Sequence, residues 1–302
     1  MLSVVIPAYN EEESLPKAAQ VIGGLLAKEG IPYELVFVDD GSKDRTWDEI
    51  LKAHEENENV HGVHFSRNFG KESAIVAGLA EARGDCVAVM DCDLQHPPEA
   101  LVLMYRRWEE GYEVVEGVKR TRGRENSAHR AATGIFYWIM SRAVKIDMSR
   151  ASDFKLLDRK AVDSILEMPE RNAFFRAMSS WIGYTHTQVE FDVQERTAGT
   201  TKWSTWKLIT YAVSNIVGYS TAPMQLVTGA GIAVFLFAVI MGIQTLARYF
   251  TGHAVEGFTT VILLILLIGS IIMISLGIIG YYIARIYEET KGRPKYIVSR
   301  RV

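Results

Sequence analysis

Cysteine is scarce in this chain of 302 residues, which has two thiols, at Cys86 and Cys92. Two cysteines cannot build a disulfide framework, and no cysteine and histidine residues have the spacing of a zinc site. An excess of basic residues is also missing, because 33 Lys and Arg stand against 36 Asp and Glu. The net charge of −3 argues against a protein that binds duplex nucleic acid. We therefore expect a protein of a reducing compartment without a nucleic-acid partner.

The charges are distributed unevenly along the chain. Residues 201–302 hold nine basic and three acidic side chains, a net charge of +6, whereas residues 1–200 carry −9. The first seven residues lack the basic start and the long apolar run of a signal peptide. These features predict a polar domain, residues 1–199, that stays in the cytosol and is followed by a membrane anchor.

Short runs of β-branched residues alternate with helical stretches in the first part of this domain. The predicted strands are 3–6, 34–38, 60–65, 86–90 and 114–118, and the predicted helices are 12–28, 45–56, 71–82 and 98–110. Ser42 and Asp44 are candidate N-caps of the second helix, and Pro97 and Pro98 suit the start of the fourth helix. The alternation predicts an α/β domain with a mostly parallel sheet and right-handed crossovers.

Two long runs without charged residues follow the polar domain. Residues 208–247 and 257–284 contain no Asp, Glu, Lys or Arg. Because ~20 apolar residues cross a bilayer core, we expect two transmembrane helices at about 226–248 and 259–284. Residues 285–302 carry six Lys and Arg against two Glu, so the positive-inside rule places this basic tail in the cytoplasm. An even number of spans then puts both termini and the polar domain on the cytoplasmic side of the plasma membrane. A pair of buried core helices is the alternative.

Residues 200–225, ahead of the first span, are rich in tryptophan, tyrosine and lysine. Trp203, Trp206 and Tyr211 lie close to Lys202 and Lys207. Aromatic and basic residues together favour the lipid headgroup layer. We therefore predict an interfacial amphipathic region that lays the polar domain on the membrane, with a plain linker as the alternative.

Polar segments follow three of the predicted strands, at residues 7–11, 39–42 and 91–95. Ligands of parallel sheets bind beyond the carboxyl ends of the strands. In the third segment, Asp91 and Asp93 are spaced to hold Mg²⁺ or Mn²⁺, which takes few protein oxygens and shares the rest with water and phosphate. Each segment alone is better explained by a solvated turn or a helix cap. Three such segments on one edge favour a binding site.

Three motifs, VIPAYNE (residues 5–11), VDDGSKDRT (38–46) and DCDLQHPPE (91–99), resemble those of family 2 inverting glycosyltransferases with the GT-A fold. More narrowly, the chain resembles dolichol-phosphate-mannose-synthase-like enzymes, which include bacterial bactoprenol (undecaprenyl-phosphate) glucosyltransferases. The likeness covers essentially the whole length, including the two apolar runs. It implies a GT-A catalytic domain, interfacial helices and a two-helix transmembrane hairpin, and it suggests a membrane-associated homo-oligomer.

The resemblance also implies roles for individual residues. Contacts to the nucleotide are implied for Pro7, Tyr9, Glu11, Val38, Asp40 and Asp91, and a divalent metal ion, Mg²⁺ or Mn²⁺, for Asp91, Asp93 and Gln95. Residues 195–203 (ERTAGTTKW) are similar to the family's R-x-x-G-x-[ST]-K segment. This likeness implies that Arg196 and Lys202 contact the diphosphate or the lipid phosphate, with ordinary juxtamembrane cations as the alternative.

Three further residues are candidates for the reaction itself. Arg120 and Arg130 lie in a stretch rich in Lys and Arg, and one of them is expected to grip the acceptor phosphate unless the stretch is simply a basic loop. Asp153 lies where relatives have an acidic residue of the active site, so we take it as a candidate catalytic residue. A carboxylate that caps a turn is the alternative for Asp153.

The activity implied by the resemblance is transfer of a hexose, in first place glucose from UDP-glucose, to a polyprenyl (undecaprenyl) phosphate with inversion. The product is a lipid-linked monosaccharide for modification of cell-envelope glycans. A phosphate monoester has a second pKa of about 6, so the acceptor is already an anionic nucleophile at pH 7. Cations that hold it then matter more than a general base.

Other activities stay open at this point. The donor is alternatively UDP-GlcNAc, another modified UDP-sugar or GDP-mannose. A processive polysaccharide synthase is disfavoured because the chain lacks a Q-x-x-R-W motif and has too few spans for a polymer channel. A non-catalytic membrane scaffold is disfavoured because it has no need to keep the acidic motif and the phosphate-binding cations together.

Overall fold

A computed structural model describes residues 1–120, 152–168, 170, 174–192, 222–251 and 257–302. These residues form two compact units. The first unit holds the described residues up to 192 together with residues 293–302, and the second holds the described residues from 222 to 292.

The described part of the first unit contains eight strands and six helices. The strands are Leu2–Ala8 (β1), Tyr33–Asp39 (β2), Val60–Phe65 (β3), Cys86–Val89 (β4), Val114–Lys119 (β5), Lys155–Asp158 (β6), His186–Phe191 (β7) and Val298–Arg301 (β8). The helices are Leu15–Lys28 (α1), Thr46–Glu56 (α2), Lys71–Glu81 (α3), Pro98–Glu109 (α4), Arg159–Glu167 (α5) and Phe175–Trp181 (α6). All five predicted strands and all four predicted helices are present, with ends within three residues of their predicted positions.

All eight strands belong to one sheet, in the order β7-β5-β6-β4-β1-β2-β3-β8. Strands β4, β1, β2 and β3 run parallel to one another, and β5 runs parallel to β7. Strand β6 lies antiparallel between β4 and β5, and β8 pairs antiparallel with the edge of β3. The prediction of a mostly parallel sheet is confirmed, and β6, β7 and β8 are the strands that it did not include.

Successive residues of the central strands point to opposite faces of the sheet. Val4 and Ile6 join a buried cluster with residues of α1, α2 and α4, whereas Val5 joins a second cluster with residues of α3, α5 and α6. A sheet that is covered on both faces needs apolar residues at nearly every strand position. The polar side chains of the central strands therefore collect at the strand ends.

The start of α2 differs from the predicted capping. Asp44 accepts a hydrogen bond from the backbone N–H of Thr46 at 3.1 Å, so its carboxylate does serve the first turn. The hydroxyl oxygen of Ser42 instead accepts the backbone N–H of Asn10 at 2.9 Å. The prediction that Ser42 caps α2 was wrong, because this hydroxyl joins the loop after β2 to the loop after β1.

The described part of the second unit consists of two long apolar helices, Ala222–Phe250 (α7) and Phe258–Thr290 (α8). Their segments Val227–Gln244 and Leu267–Thr290 both have a mean hydropathy of 2.1. By length and composition, both helices are able to cross a bilayer. Of the predicted interfacial region, residues 200–221 lie outside the described residues and residues 222–225 already belong to α7.

The last residues of the chain return to the sheet of the first unit. In the pairing of β8 with β3, Arg301 lies opposite Val63 and Arg300 opposite His64. Three of the four residues of β8 are exposed, so the sequence has no alternation of apolar and polar residues that would predict this strand. The sequence therefore predicted a plain basic tail where the structure has the end of α8 followed by an edge strand.

Candidate active site

The carboxyl ends of β1, β2 and β4 meet at one edge of the sheet, as their parallel pairing requires. Strand β6 runs in the opposite direction, so its beginning, next to Asp153, reaches the same edge. Asn10 and Leu94, in the loops after β1 and β4, both have a positive φ of 55°. The loops after β1, β2 and β4 and the residues just before β6 therefore lie at the same edge of the sheet.

Asp40 lies directly beyond β2 and holds the loop that follows β3. Its carboxylate accepts hydrogen bonds from the backbone N–H groups of Phe69 at 2.6 Å and of Gly70 at 2.9 Å. Burial raises the pKa of Asp40 to about 6, although both of these hydrogen bonds act in the opposite direction. Asp40 thus links the end of β2 to the beginning of α3.

The preceding carboxylate, Asp39, is fully buried and pairs with a histidine. Its Oδ2 lies 2.7 Å from Nδ1 of His64, and its Oδ1 accepts the backbone N–H of Ser42 at 2.9 Å. Gly41 has a φ of 65°, and a Cβ at this position would overlap the backbone of Arg67. The loop after β2 is therefore fixed by a buried carboxylate and by a close approach between two backbones.

Asp91 and Asp93 lie on the short loop that follows β4. The side chain of Asp91 is 35% exposed, and Oδ1 of Asp93 accepts the backbone N–H of Gln95 at 3.1 Å. Behind the loop, the buried ring of His96 stacks on Phe154 with the ring centroids 4.7 Å apart. The loop therefore has an aromatic anchor on one side and two carboxylates near the sheet edge.

Lys71 bridges two carboxylates, one in the loop after β4 and the other just before β6. It is the first residue of α3, and its Nζ lies 2.6 Å from Oδ1 of Asp91 and 3.1 Å from Oδ2 of Asp153. Gly70 precedes it with a φ of 98°, a conformation that glycine adopts without strain. The turn at Gly70 thus delivers one ammonium group to the carboxyl end of β4 and to the beginning of β6.

Asp153 has a second cationic partner on α6. Arg176 donates hydrogen bonds to its carboxylate from Nε at 2.6 Å and from Nη2 at 2.9 Å. On the same side, Glu72 accepts the backbone N–H of Phe175 at 2.9 Å. Asp153 is therefore a buried carboxylate held between two cations, with a further acidic residue nearby.

The electrostatics of this cluster favour the charged forms of its ion pairs. Burial alone would raise the pKa of Asp91 and of Asp153, but Lys71 lowers both below the ordinary range, and Arg176 lowers that of Asp153 further. Burial likewise acts to lower the pKa of Lys71, and the two carboxylates raise it overall. Glu72 differs, because burial and the charge of Asp153 raise its pKa to about 7.

The residues predicted to contact a nucleotide occupy different environments. Pro7 lies within β1, and Val38 lies fully buried within β2, so the side chain of Val38 does not reach the sheet edge. Tyr9 is 42% exposed in the loop after β1. The backbone N–H of Glu11 donates to the hydroxyl oxygen of Thr46 at 2.8 Å.

Among the predicted phosphate-binding cations, Arg120 is the one that the structure describes. It is exposed at the end of β5, 3.3 Å from the carboxylate of Asp192 and 3.6 Å from that of Glu190. Arg130, Arg196 and Lys202 lie outside the described residues.

Two cations of the cluster, Lys71 and Arg176, were not predicted from the sequence. Lys71 follows a strand and a glycine, so the strand-end rule could have found it. Arg176 lies on a short helix far along the chain, and no local pattern connects it with Asp153. A tertiary contact alone brings Arg176 to this site.

The donor set of the loop after β4 fits a metal ion that is shared with a substrate. Within the described residues, no group of three or more His, Cys, Asp and Glu side chains is placed to hold a metal ion. Asp91 and Asp93 supply two carboxylates, which suits Mg²⁺ or Mn²⁺ when phosphate and water oxygens complete the coordination. Both carboxylates are partly exposed, and the Gln95 amide lies on the same loop. The residues present therefore fit a metal ion whose coordination is completed by substrate and water, and not one that is held by protein ligands alone.

Comparison with known proteins gives a family model and close relatives. Residues 3–172 match the model described as Glycosyl transferase family 2. An uncharacterised glycosyltransferase from Synechocystis is 38% identical over 300 residues, which are 99% of this chain and 94% of that protein. A prophage bactoprenol glucosyl transferase homologue from Escherichia coli is 37% identical over 302 residues, 99% of this chain and 98% of that protein.

Among solved structures, the chain is similar to glucosyl-3-phosphoglycerate synthase from Mycobacterium tuberculosis. The complex of that enzyme with Mn²⁺, UDP-glucose and phosphoglyceric acid matches with a TM-score of 0.50 and 20% sequence identity. The match covers 72% of this chain and 78% of that chain. At this level of identity the similarity concerns the fold, and it confirms the predicted fold class.

Proposed function

The chain belongs to glycosyl transferase family 2, and on that premise we propose that it transfers glucose from UDP-glucose to a polyprenyl phosphate at a membrane, with inversion at C1. One observation carries the proposal. At the strand-end site, Asp153 is paired with Lys71 and Arg176 beside Asp91. Such a site offers cations that can hold an anionic acceptor. Asp153 is not an unpaired carboxylate, which a hydroxyl acceptor would need as a general base.

The donor proposal combines the strand-end loops with the names of relatives. Asp40 and Asp91 lie beyond β2 and β4, the parallel strands on either side of β1, on the edge where ligands of such sheets bind. Tyr9 adds an exposed aromatic ring on the same edge. A relative named as a bactoprenol glucosyl transferase homologue supports glucose as the sugar, and the fold neighbour solved with UDP-glucose supports a UDP donor.

A divalent ion at Asp91, Asp93 and Gln95 would neutralise the charge that develops on the departing UDP. Asp91 and Asp93 come from one loop, so their spacing is set by the backbone of that loop rather than by packing between distant elements. The fold neighbour that was solved with Mn²⁺ supports a divalent metal for this chain.

The acceptor attacks through a phosphate oxygen. A polyprenyl phosphate is largely dianionic at neutral pH, so no proton has to be removed before its oxygen displaces UDP from C1. Phosphate binding requires cations that stay charged, and Lys71 and Arg176 fulfil that requirement beside Asp153. In this proposal Asp153 positions the two cations and is not a general base.

The other predicted cations remain part of the proposal for the acceptor phosphate. Arg120, at the end of β5, would have to leave its surface ion pairs with Glu190 and Asp192 to take this role. Exposed ion pairs of this kind contribute only about 0–1 kcal/mol to stability. Their replacement by a contact with phosphate would therefore cost little free energy. Arg130, Arg196 and Lys202 are proposed to contact phosphate on the likeness of their motifs.

The two apolar helices and the proposed acceptor support a membrane location. A polyprenyl phosphate is confined to a bilayer, and α7 and α8 are long enough to span one. We place the catalytic unit and both termini on the cytoplasmic face, where nucleotide sugars are made and where the basic residues after α8 are favoured.

An assay with membranes tests this function. Membranes that contain the chain are incubated with undecaprenyl phosphate and a panel of labelled donors, UDP-glucose, UDP-GlcNAc and GDP-mannose, and the lipids are then extracted. We expect label from UDP-glucose in a lipid-linked monosaccharide. A water-soluble polymer would indicate a processive synthase, absence of any product would indicate a scaffold, and a different preferred donor would replace glucose in the proposal.

A further inference from the structure

Lys71 holds the carboxylate that the family likeness assigns to the metal ion. Its Nζ lies 2.6 Å from Oδ1 of Asp91, a hydrogen-bond distance between opposite charges. The side chains of Lys71 and Asp91 are 42% and 35% exposed, so solvent and ions reach this pair. Asp91 therefore has a cationic partner that the chain itself supplies.

The two carboxylates of the bridge depend on Lys71 to different degrees. Asp153 is also bound by Arg176 through two hydrogen bonds and is 10% exposed. In the described part of the chain, the ion pair of Asp91 is with Lys71. Movement of Lys71 away from Asp91 would leave Asp153 paired, whereas Asp91 would become available for another cation.

A divalent metal ion and the Lys71 ammonium group are both cations that bind the carboxylate of Asp91. Mg²⁺ binds carboxylate oxygens at about 2.0–2.1 Å, closer than the 2.6 Å between Nζ of Lys71 and Oδ1 of Asp91. Two cations that share one carboxylate repel each other, so binding of the ion favours withdrawal of the ammonium group toward Asp153.

We propose that Lys71 is an exchangeable counter-ion of Asp91, which it neutralises and positions before the donor arrives and releases to the incoming divalent ion. Release leaves the ammonium group on Asp153, beside Arg176. The same event would then free Asp91 for the metal ion. It would also leave the ammonium group of Lys71 and the guanidinium group of Arg176 together beside Asp153, where we propose that the acceptor phosphate binds. This inference rests on the proposed function for the identity of the ion, and its test does not depend on sugar transfer.

Binding of Mn²⁺ alone to the full chain in detergent, measured by the loss of the free-ion EPR signal, tests the exchange. We expect Lys71→Gln to bind Mn²⁺ about threefold to tenfold more tightly than the native chain, because no ammonium group has to be displaced. Lys71→Arg, which keeps a competing cation, should bind like the native chain. Lys52→Gln removes an exposed lysine that pairs with Glu49 on α2 and should change nothing. Unchanged or weaker binding by Lys71→Gln would overturn the proposal.

A second measurement uses the native chain and needs no variant. Acetylation of lysine side chains by a water-soluble active ester is followed by mass spectrometry, with and without Mn²⁺. We expect labelling of Lys71 to rise about two- to fivefold with Mn²⁺, since one of its two ion pairs is lost, while labelling of Lys52 stays constant. No rise at Lys71 would overturn the exchange. If Mn²⁺ replaces Lys71 at Asp91 but the chain forms no lipid-linked sugar, the proposed function is rejected and this inference stands.

Discussion

The guanidinium group of Arg176 and the carboxylate of Asp153 are joined by two hydrogen bonds, at 2.6 and 2.9 Å. Lys71 lies 3.1 Å from the same carboxylate, so Asp153 is shared between two cations. A general base has to accept a proton near neutral pH, and a carboxylate whose pKa is lowered by two cations is poorly suited to do so. The pairing agrees with the proposed phosphate acceptor, which needs no general base.

Replacement of Asp153 by asparagine should destabilise the first unit. The variant leaves two cations beside a neutral amide, and we expect the free energy of unfolding to fall by about 1–3 kcal/mol at pH 7. The pKa of Asp153 is lowered in the folded state, so its contribution is complete above the ordinary pKa of about 3.9 and is lost as the pH falls through the lowered value. Thermal unfolding of the native chain and the variant from pH 7 to pH 2 measures this difference.

Asp163→Asn is the matched control for that prediction, because Asp163 forms an exposed pair with Arg159 at 3.9 Å. We expect this control to change the stability by less than about 0.5 kcal/mol. A gap between native and Asp153→Asn that stays constant to the lowest pH would contradict the ion-pair account.

Recognition of the nucleoside should depend on the protonation of Asp40. Because burial raises the pKa of Asp40 to about 6, its carboxylate is ionised at pH 7.5 and becomes protonated below pH 6. We expect the affinity for uridine, which has no phosphate to titrate, to fall as the pH drops from 7.5 to 5. Asp40→Asn should bind uridine more weakly and without this pH dependence. A native affinity that is flat between pH 5 and pH 7.5 would remove Asp40 from the nucleotide site.

Loss of Asp93 should stop turnover without affecting assembly into the membrane. With Asp93→Ala we expect kcat to fall by about 100-fold or more, the usual cost of losing a charged group that stabilises the transition state. Asp48→Ala, which removes an exposed carboxylate in the first turn of α2, should retain activity. Transfer of label to lipid and the membrane content of each variant are measured together. Metal-dependent activity in Asp93→Ala would contradict the metal assignment.

The segment after α8 should support the nucleotide site through aromatic packing. Tyr296 stacks on Phe65 with the centroids 5.0 Å apart, and Phe65 contacts Phe69, whose N–H donates to Asp40. We expect Tyr296→Ala to weaken UDP binding about three- to tenfold, in line with the loss of one aromatic pair. Tyr296→Phe keeps the ring and should bind UDP like the native chain, as titration calorimetry can measure. Equal affinities of native and Tyr296→Ala would show that the segment after α8 does not support the nucleotide site.

Much of this fold was predictable because strands buried on both faces consist of nearly continuous apolar runs. Leu2–Ala8 and Cys86–Val89 are of this kind, and the loops that follow them carry the acidic motifs. The family predicted from those motifs is confirmed. Local patterns of this type depend on neighbouring residues and are visible in one sequence.

The remaining strands and cations depend on contacts between distant parts of the chain. Strand β6 has four residues and begins with Lys155. This lysine is buried, and its charge is compensated by Glu116 of β5 at 3.1 Å. Strand β8 is held by backbone pairing to β3 and has little apolar content. Arg176, on α6, reaches Asp153 through a contact between different elements of the fold. No periodicity within a short window contains such information.

The most direct test of the account is the chemistry of one product. The full chain purified in detergent is supplied with UDP-glucose, undecaprenyl phosphate and Mn²⁺, and the lipid product is analysed by mass spectrometry and by proton NMR of its anomeric centre. We predict one glucose joined to the lipid phosphate with the configuration opposite to that of the donor. A product with retained configuration, or glucose released only as free sugar or polymer, would contradict direct attack by the acceptor phosphate.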